Sequence, residues 1–482
     1  MPHTLNLVEE ALVKSIALAV RKDWTEETAS LRFNEFVSVA SSMTAAQWKE
    51  YYELSRRHGV SALVFNAVQR LPKEAGVPRD LLFSWFANSE SIAKRYSKQC
   101  KAASDFAGLM RDNGLGVVIL KGLGLASKYY PAPELRECGD IDVFLYELPD
   151  NASNECSVAT STGADSSMLS TGFESNVVST GSDSSMLSTE AHHLESGYEK
   201  CDGIIESLHK TIDRSTEKHS VFTYDGVMVE NHKTFVSDSS KSCRLLNSIL
   251  NALIDKDISE FNKASVVRLT RSITSKDKGG EYIVYPGADF NALFLLRHMV
   301  SHLAYEGVTL HNIVDWGLFL LKEKDSIDWQ SYTEHLRQTR LHTAFAVFTS
   351  IAADVIGADM HELCDCSALS VLPVLPDLLV SPVLPALCGS ADLSEVRGSG
   401  SRDGKFAQGI ADFVKLKDRV SMEVMTVQLH KEASMPFFKR LTAKTKRIFS
   451  NRWQYGSVNP DNFWIDALLP SIISHLRFPD KI

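Results

Sequence analysis

Residues Val117 to Tyr146 read VVILKGLGLASKYYPAPELRECGDIDVFLY, and the fold turns on this stretch. The apolar run Val117 to Leu120 predicts a buried strand. Lys121, Gly122 and Gly124 follow at its end. A short helix is expected over Leu125 to Tyr130, stopped by Pro131 and Pro133. A second apolar run, Ile141 to Tyr146, opens with Asp140-Ile141-Asp142. Strand side chains alternate, so Asp140 and Asp142 project together and Ile141 points to the opposite face. An Asp-x-Asp alone is common at strand ends. Here a strand, a Lys-Gly turn and a helix precede it, and that context makes it a candidate metal pair. Carboxylates supply the hard oxygen ligands that Mg²⁺ prefers. Gly122 and Gly124 allow backbone to approach a phosphate, and Lys121 offers it a compact charge.

A third acid strengthens the pattern. His219 to Tyr224 reads as a strand, Asp225-Gly226 as a hairpin turn, and Val227 to His232 as the returning strand. Alternation puts Val227 and Val229 on one face and Met228 and Glu230 on the other. If the valines face the core, Glu230 faces a cleft. It is then expected within about 4 to 6 Å of Asp140 and Asp142, sharing an ion with them. His232 is the alternative to Glu230 for completing the site.

The segments ILKG, YP, ELR, GDID, KHSVFTYDGVMVENH and FNALFLLRHMVSHLAYEGVTLHNIVDW resemble an uncharacterised bacterial nucleotidyltransferase family. The resemblance covers roughly Trp48 to Leu320. It implies the polymerase-β-like nucleotidyltransferase fold, in which a Gly-Ser or Gly-Gly turn precedes an Asp-x-Asp and a later strand carries a third carboxylate. Carried over, Gly122 is the turn glycine, Asp140 and Asp142 the metal pair, and Glu230 the third acid. Leu123 stands where Ser or Gly is usual, which removes a hydroxyl from the phosphate contacts. His311 stands where an Arg is common, and it would hold phosphate only when protonated. The implied activity moves a nucleoside monophosphate from an NTP, with ATP expected, to an unidentified acceptor hydroxyl with Mg²⁺ or Mn²⁺. Leu123 and His311 keep a second reading open: a catalytically inactive nucleotide-binding or regulatory module on the same scaffold.

The rest of the chain frames this core. At 482 residues, with 44% hydrophobic and 23% charged residues, it has the composition of a globular protein of two to four domains. The expected class is α+β: a small mixed-sheet nucleotidyltransferase core flanked by N-terminal and C-terminal helical regions. The expected boundaries are 1–103 for the N-terminal helical region, 104–236 for the core, 237–388 for a helical domain, and 389–482 for a linker and basic tail. A net charge of −9 argues against nucleic-acid binding by the whole surface, though not by a local groove.

Eight scattered cysteines and a charged amphipathic start, with Glu9, Glu10 and Lys14, point to a reducing cytoplasm. Asn151 to Thr189 holds a near-duplicate, STGADSSMLST and STGSDSSMLST, and is expected to be a disordered insertion. An amphipathic helix is expected over Glu190 to Arg214. Asp289 is expected to cap a helix over Asn291 to Tyr305, where His298 and His302 share a face at i and i+4. Without the Glu of HExxH, a packed pair is favoured over zinc. His232, His298, His302, His311 and Asp315 are candidate substrate-pocket residues. Leu369 to Leu387 is apolar but broken by Pro373, Pro376, Pro382 and Pro385, which excludes a membrane span.

Overall fold

A computed structural model describes residues 5–148, 186–238, 240–263, 284–369, 401–426, 442, 446 and 449–468. The N-terminal helices are α1 (Leu7–Val20), α2 (Glu26–Ala40), α3 (Ala45–Arg57), α4 (Ser61–Val68) and α5 (Arg79–Asp112). Then come β1 (Leu115–Ile119), α6 (Leu123–Tyr129), β2 (Ile141–Glu147), α7 (Met186–Ser207), β3 (Ile212–Asp213), β4 (His219–Tyr224) and β5 (Val227–His232). The chain continues through α8 (Lys241–Lys263), α9 (Ala288–Tyr305), α10 (Leu310–Glu323), α11 (Trp329–Thr339) and α12 (His342–Ile356). Two single-turn helices, α13 (Met360–Leu363) and α14 (Cys366–Leu369), and the helix α15 (Ser401–Met425) follow.

Local chemistry sets many of these boundaries. Asn6 caps α1, its side chain accepting from the Val8 and Glu9 N–H groups while Glu9 reaches back to the Asn6 N–H. Thr44 and Gln47 do the same for α3. Asp225 and Gly226 both take positive φ, 48° and 69°, the left-handed pair that a two-residue hairpin turn requires.

The strands form one mixed sheet in the order β1-β2-β5-β4-β3. β2 lies between an antiparallel β1 and a parallel β5, so its backbone is hydrogen-bonded on both sides. Each face of the sheet has its own core. Leu115, Val117, Ile119, Ile141, Val143, Leu145, Val227 and Val229 pack with Tyr96, Phe106 and Met110 of α5 and with Cys201 and Ile205 of α7. Val118, Leu120, Phe144 and Tyr146 join a larger core, which runs through Phe235, α9, α10 and α12 and out to α1 and α4. Asp202 ties α7 to the hairpin: its carboxylate accepts from Ser220 Oγ at 2.6 Å and Asn231 Nδ2 at 3.1 Å.

Several boundaries differ from expectation. The helix expected to reach Arg214 ends at Ser207. His209 takes a positive φ of 55°, and Ile212–Asp213 becomes an edge strand. Gly287, not Asp289, is the N-cap of α9, which starts at Ala288. Asp289 sits in the first turn and accepts the Asp328 N–H at 2.8 Å. Residues 401–404, expected in a linker, begin α15. Most of the repeated Ser/Thr stretch, the Pro-broken apolar segment and most of the basic tail lie outside the described residues. Among the described residues, no helix is long and apolar enough to cross a membrane. The six described cysteines are buried and free of disulfides.

Candidate active site

The alternation expected for Asp140-Ile141-Asp142 is present. Ile141 enters the core under α5, and Asp142 faces the opposite side, the side of Phe144 and Tyr146. The parallel register places Asp142 directly beside Glu230. One oxygen from each of Asp140, Asp142 and Glu230 lies within 4.8 Å of the others. The three line a cleft of about 860 Å³ between the sheet and α9–α10, within the usual range of a small-molecule site.

Asp142 is the best-held member. It is 1% exposed. Its Oδ1 accepts from Lys121 Nζ at 2.9 Å and faces His232 Nε2 at 3.0 Å. Burial by itself would push its pKa up, but Lys121 and the bond to His232 hold it well below the ordinary carboxylate range. Its Oδ2 is buried and has no hydrogen-bond partner among the described residues. Such an orphaned anionic oxygen is costly unless a cation meets it. Asp140 behaves oppositely: burial, and then repulsion from Asp142, raise its pKa to about 6. For Glu230, burial pulls upward and the neighbouring His232 prevails, leaving its pKa lowered. Lys121 loses solvation, yet the charges of Asp142 and Asp140 raise its pKa.

Gly122 supports this cluster through its backbone. Its φ of 58° precedes the first residue of α6, a conformation that a side chain would strain. Gly124 lies elsewhere. It is buried in α6, where a Cβ would sit 2.8 Å from the Tyr285 ring, so it makes room for Tyr285 rather than lining the cleft. Leu123 is fully buried in the α5-side core, so the position lacking the hydroxyl is a packing position in this chain.

The histidines divide. His232 is fully buried and reaches the cleft through Asp142 and Glu230; its Nδ1 lies 3.3 Å from the Thr234 carbonyl. His298 and His302 both line the cleft, their Nε2 atoms 2.8 Å apart, and His302 Nδ1 pairs with Glu306 at 3.0 Å. His298 is kept neutral by burial, and then by repulsion from Lys121. His311 also lines the cleft, bonded through Nδ1 to Thr309 Oγ1 at 2.9 Å. Burial, and then Arg136, lower its pKa to about 4, so it does not offer phosphate a cation near neutral pH.

Asp315 is fully engaged. Arg136 grips it through Nε at 2.8 Å and Nη2 at 2.5 Å, and Tyr130 OH donates to it at 2.7 Å. This buried pair braces the loop before β2 against α10. Asp315 therefore lines the cleft with its carboxylate already held by Arg136 and Tyr130.

Lys218, His219, Arg56, Arg57 and Arg95 also line the cleft and had been given no role. Lys218 and His219 had a readable signal. A two-residue turn at Asp225-Gly226 fixes the hairpin register and sets His219 opposite His232, so both reach the Glu230 face. The arginines on α3 and α5 arrive through tertiary packing that no local pattern announces.

A family model described as an uncharacterised nucleotidyltransferase matches residues 44–151 and 189–357, more than half of the chain. No curated protein and no solved structure gives a match.

Proposed function

The chain belongs to the uncharacterised nucleotidyltransferase family, and from that premise we propose a divalent-metal-dependent transfer of a nucleoside monophosphate from an NTP, ATP first among them, to an acceptor hydroxyl. The observation that carries the reading is the convergence of Asp140, Asp142 and Glu230 at the cleft, with Asp142 Oδ2 buried and unpartnered. The donor set is all oxygen and suits Mg²⁺ or Mn²⁺, and Asp140, Asp142 and Glu230 would hold it. A bound ion of this kind supplies charge that neutralises the triphosphate and acidifies the acceptor.

The chain's own residues do the rest. Lys121 and Lys218 set positive charge beside the carboxylates for the triphosphate. His232 and Lys121 orient Asp142 from behind. Glu230 is placed to take the acceptor proton on a carboxylate oxygen. The acceptor oxygen then bonds to the α-phosphorus, the bridge to the β-phosphorus breaks, and pyrophosphate leaves with the electron pair. Catalysis on this plan is positioning and charge neutralisation. The polymerase-β-like fold fits the Asp-x-Asp and third-acid arrangement, and the free thiols fit a reducing cytoplasm.

The neutral state of His311 favours one other reading, a nucleotide-binding or regulatory module without transfer. Purified protein incubated with α-labelled NTPs, Mg²⁺ or Mn²⁺ and cell extract distinguishes the two. Label moving onto an acceptor, lost in Asp142→Asn, supports transfer. Nucleotide binding with label on nothing supports the module.

A further inference from the structure

Glu230 stands between two imidazoles as well as beside two carboxylates. Register is the cause. His219 on β4 lies directly opposite His232 on β5, and Glu230 sits two residues before His232 on the same strand. Alternation therefore brings all three side chains to one face. Glu230 Oε1 is 3.7 Å from His219 Nε2, and its Oε2 is 3.7 Å from His232 Nε2. One donor atom from each of the three lies within 4.8 Å of the others.

These separations are too long for hydrogen bonds. They are close to what a metal ion needs. Two ligands each about 2.1 Å from one ion, at the tetrahedral angle, are about 3.4 Å apart. The outer contacts fit as well. His232 Nδ1 lies 3.3 Å from the Thr234 carbonyl, on the side of the ring away from Glu230. His232 Nε2 itself sits 3.0 Å from Asp142 Oδ1 and 3.7 Å from Glu230 Oε2. A ring nitrogen set among carboxylate oxygens at these separations is a donor set that a cation can gather. A ring nitrogen bonded to a backbone carbonyl is also how ligating histidines are commonly oriented.

We propose that His219, Glu230 and His232 form a second cation site that takes a first-row transition metal such as Mn²⁺, Co²⁺ or Zn²⁺, with Glu230 shared with the all-oxygen site. Imidazole nitrogen favours these ions over Mg²⁺, so the two sites differ in the metal they select. The inference rests on the placement of Glu230 as a cleft ligand, and not on nucleotidyl transfer taking place.

The test uses the full chain, stripped with EDTA and free of nucleotide. Co²⁺ titration should give a saturable visible absorption. Mn²⁺ added alone should show ¹⁴N modulation from directly bound imidazole in pulsed electron paramagnetic resonance. His219→Gln, checked for native circular dichroism, should weaken Co²⁺ binding at least tenfold and change Mg²⁺ affinity by less than threefold. Absence of ¹⁴N modulation in the unsubstituted protein overturns the site, as does Co²⁺ affinity unchanged in both His219→Gln and His232→Gln. A protein with no transfer activity that keeps the ¹⁴N signal supports this site, and at the same time sinks the proposed reaction.

Discussion

Replacing Asp140 by Asn should make the metal-free protein more stable, because the folded state holds this carboxylate against its preference. Burial and the Asp142 charge raise its pKa to about 6, against about 3.9 in an unfolded chain. The sign follows from linkage. A carboxyl with a raised folded-state pKa carries no penalty below the unfolded value, where both states are protonated, and the full penalty once the pH exceeds the folded value. The shift corresponds to at most about 3 kcal/mol above pH 7, and partial solvent access reduces this to roughly 1–3 kcal/mol. The assay is urea unfolding in EDTA. At pH 7.5, Asp140→Asn should exceed the unsubstituted protein by that margin, and at pH 4.5 the gap should shrink to about a third. Added Mg²⁺ should reverse the ranking, since an ion that binds only the folded state stabilises it by about 2.7 kcal/mol at a hundred times its Kd. The variant lacks a ligand and should gain little. Equal stability at pH 7.5, or a gap that ignores pH, would refute the claim that these carboxylates are held in mutual repulsion for a cation.

Asp142→Asn should lower Mg²⁺-dependent transfer by on the order of 10²-fold or more while circular dichroism stays native; unchanged turnover would remove Asp142 from the site. Arg136→Met and Asp315→Leu should each cost about 3–5 kcal/mol in unfolding free energy, because each strands a buried charge, and the double variant should cost less than either; additive losses would show that the pair is not coupled. His58 and His311 are both held to about 4 by burial. Protonation therefore favours the unfolded chain, and stability should fall as pH drops from about 6.5 to about 4 and then level off. His311→Asn should flatten that profile, and a profile as steep as before would argue against a buried neutral His311.

The features legible in the sequence were those that depend on one segment at a time. Strand alternation was enough to separate Ile141 from Asp142, and Val229 from Glu230, because a period of two needs no knowledge of neighbours. The Asp225-Gly226 turn was legible too, and with it the register that joins His219 to His232. The parallel pairing of Asp142 with Glu230 was not. Nothing local specifies which of two distant strands lie side by side, and long connections cost little closure entropy either way. The hold of Arg136 on Asp315 and the packing of Gly124 on Tyr285 were not legible for the same reason. An acid near a pocket looks the same in sequence whether an arginine from another segment has taken it or left it open, and a glycine looks the same whether it meets phosphate or a tyrosine ring.

The arrangement of cations gives the site its remaining logic. Lys121 is 18% exposed and already bonded to Asp142. Its ammonium thus balances the buried carboxylate, and its contribution to any phosphate is shared from the outset. Arg136 is likewise committed, with both arms of its fork on Asp315. His311 is neutral. Lys121 and Arg136 are therefore engaged and His311 is uncharged, while Lys218 on the hairpin and Arg57 on α3, with Arg56 and Arg95, add positive charge along the cleft. Burial, and then repulsion from Lys121, already lower the Lys218 pKa, so an arriving polyanion would relieve that repulsion. Arg57 carries the same logic: among the described residues its buried Nε has no hydrogen-bond partner, a donor whose desolvation a phosphate oxygen would offset. The two residues come from the two separate matched segments, 44–151 and 189–357, and only the folded cleft brings them together.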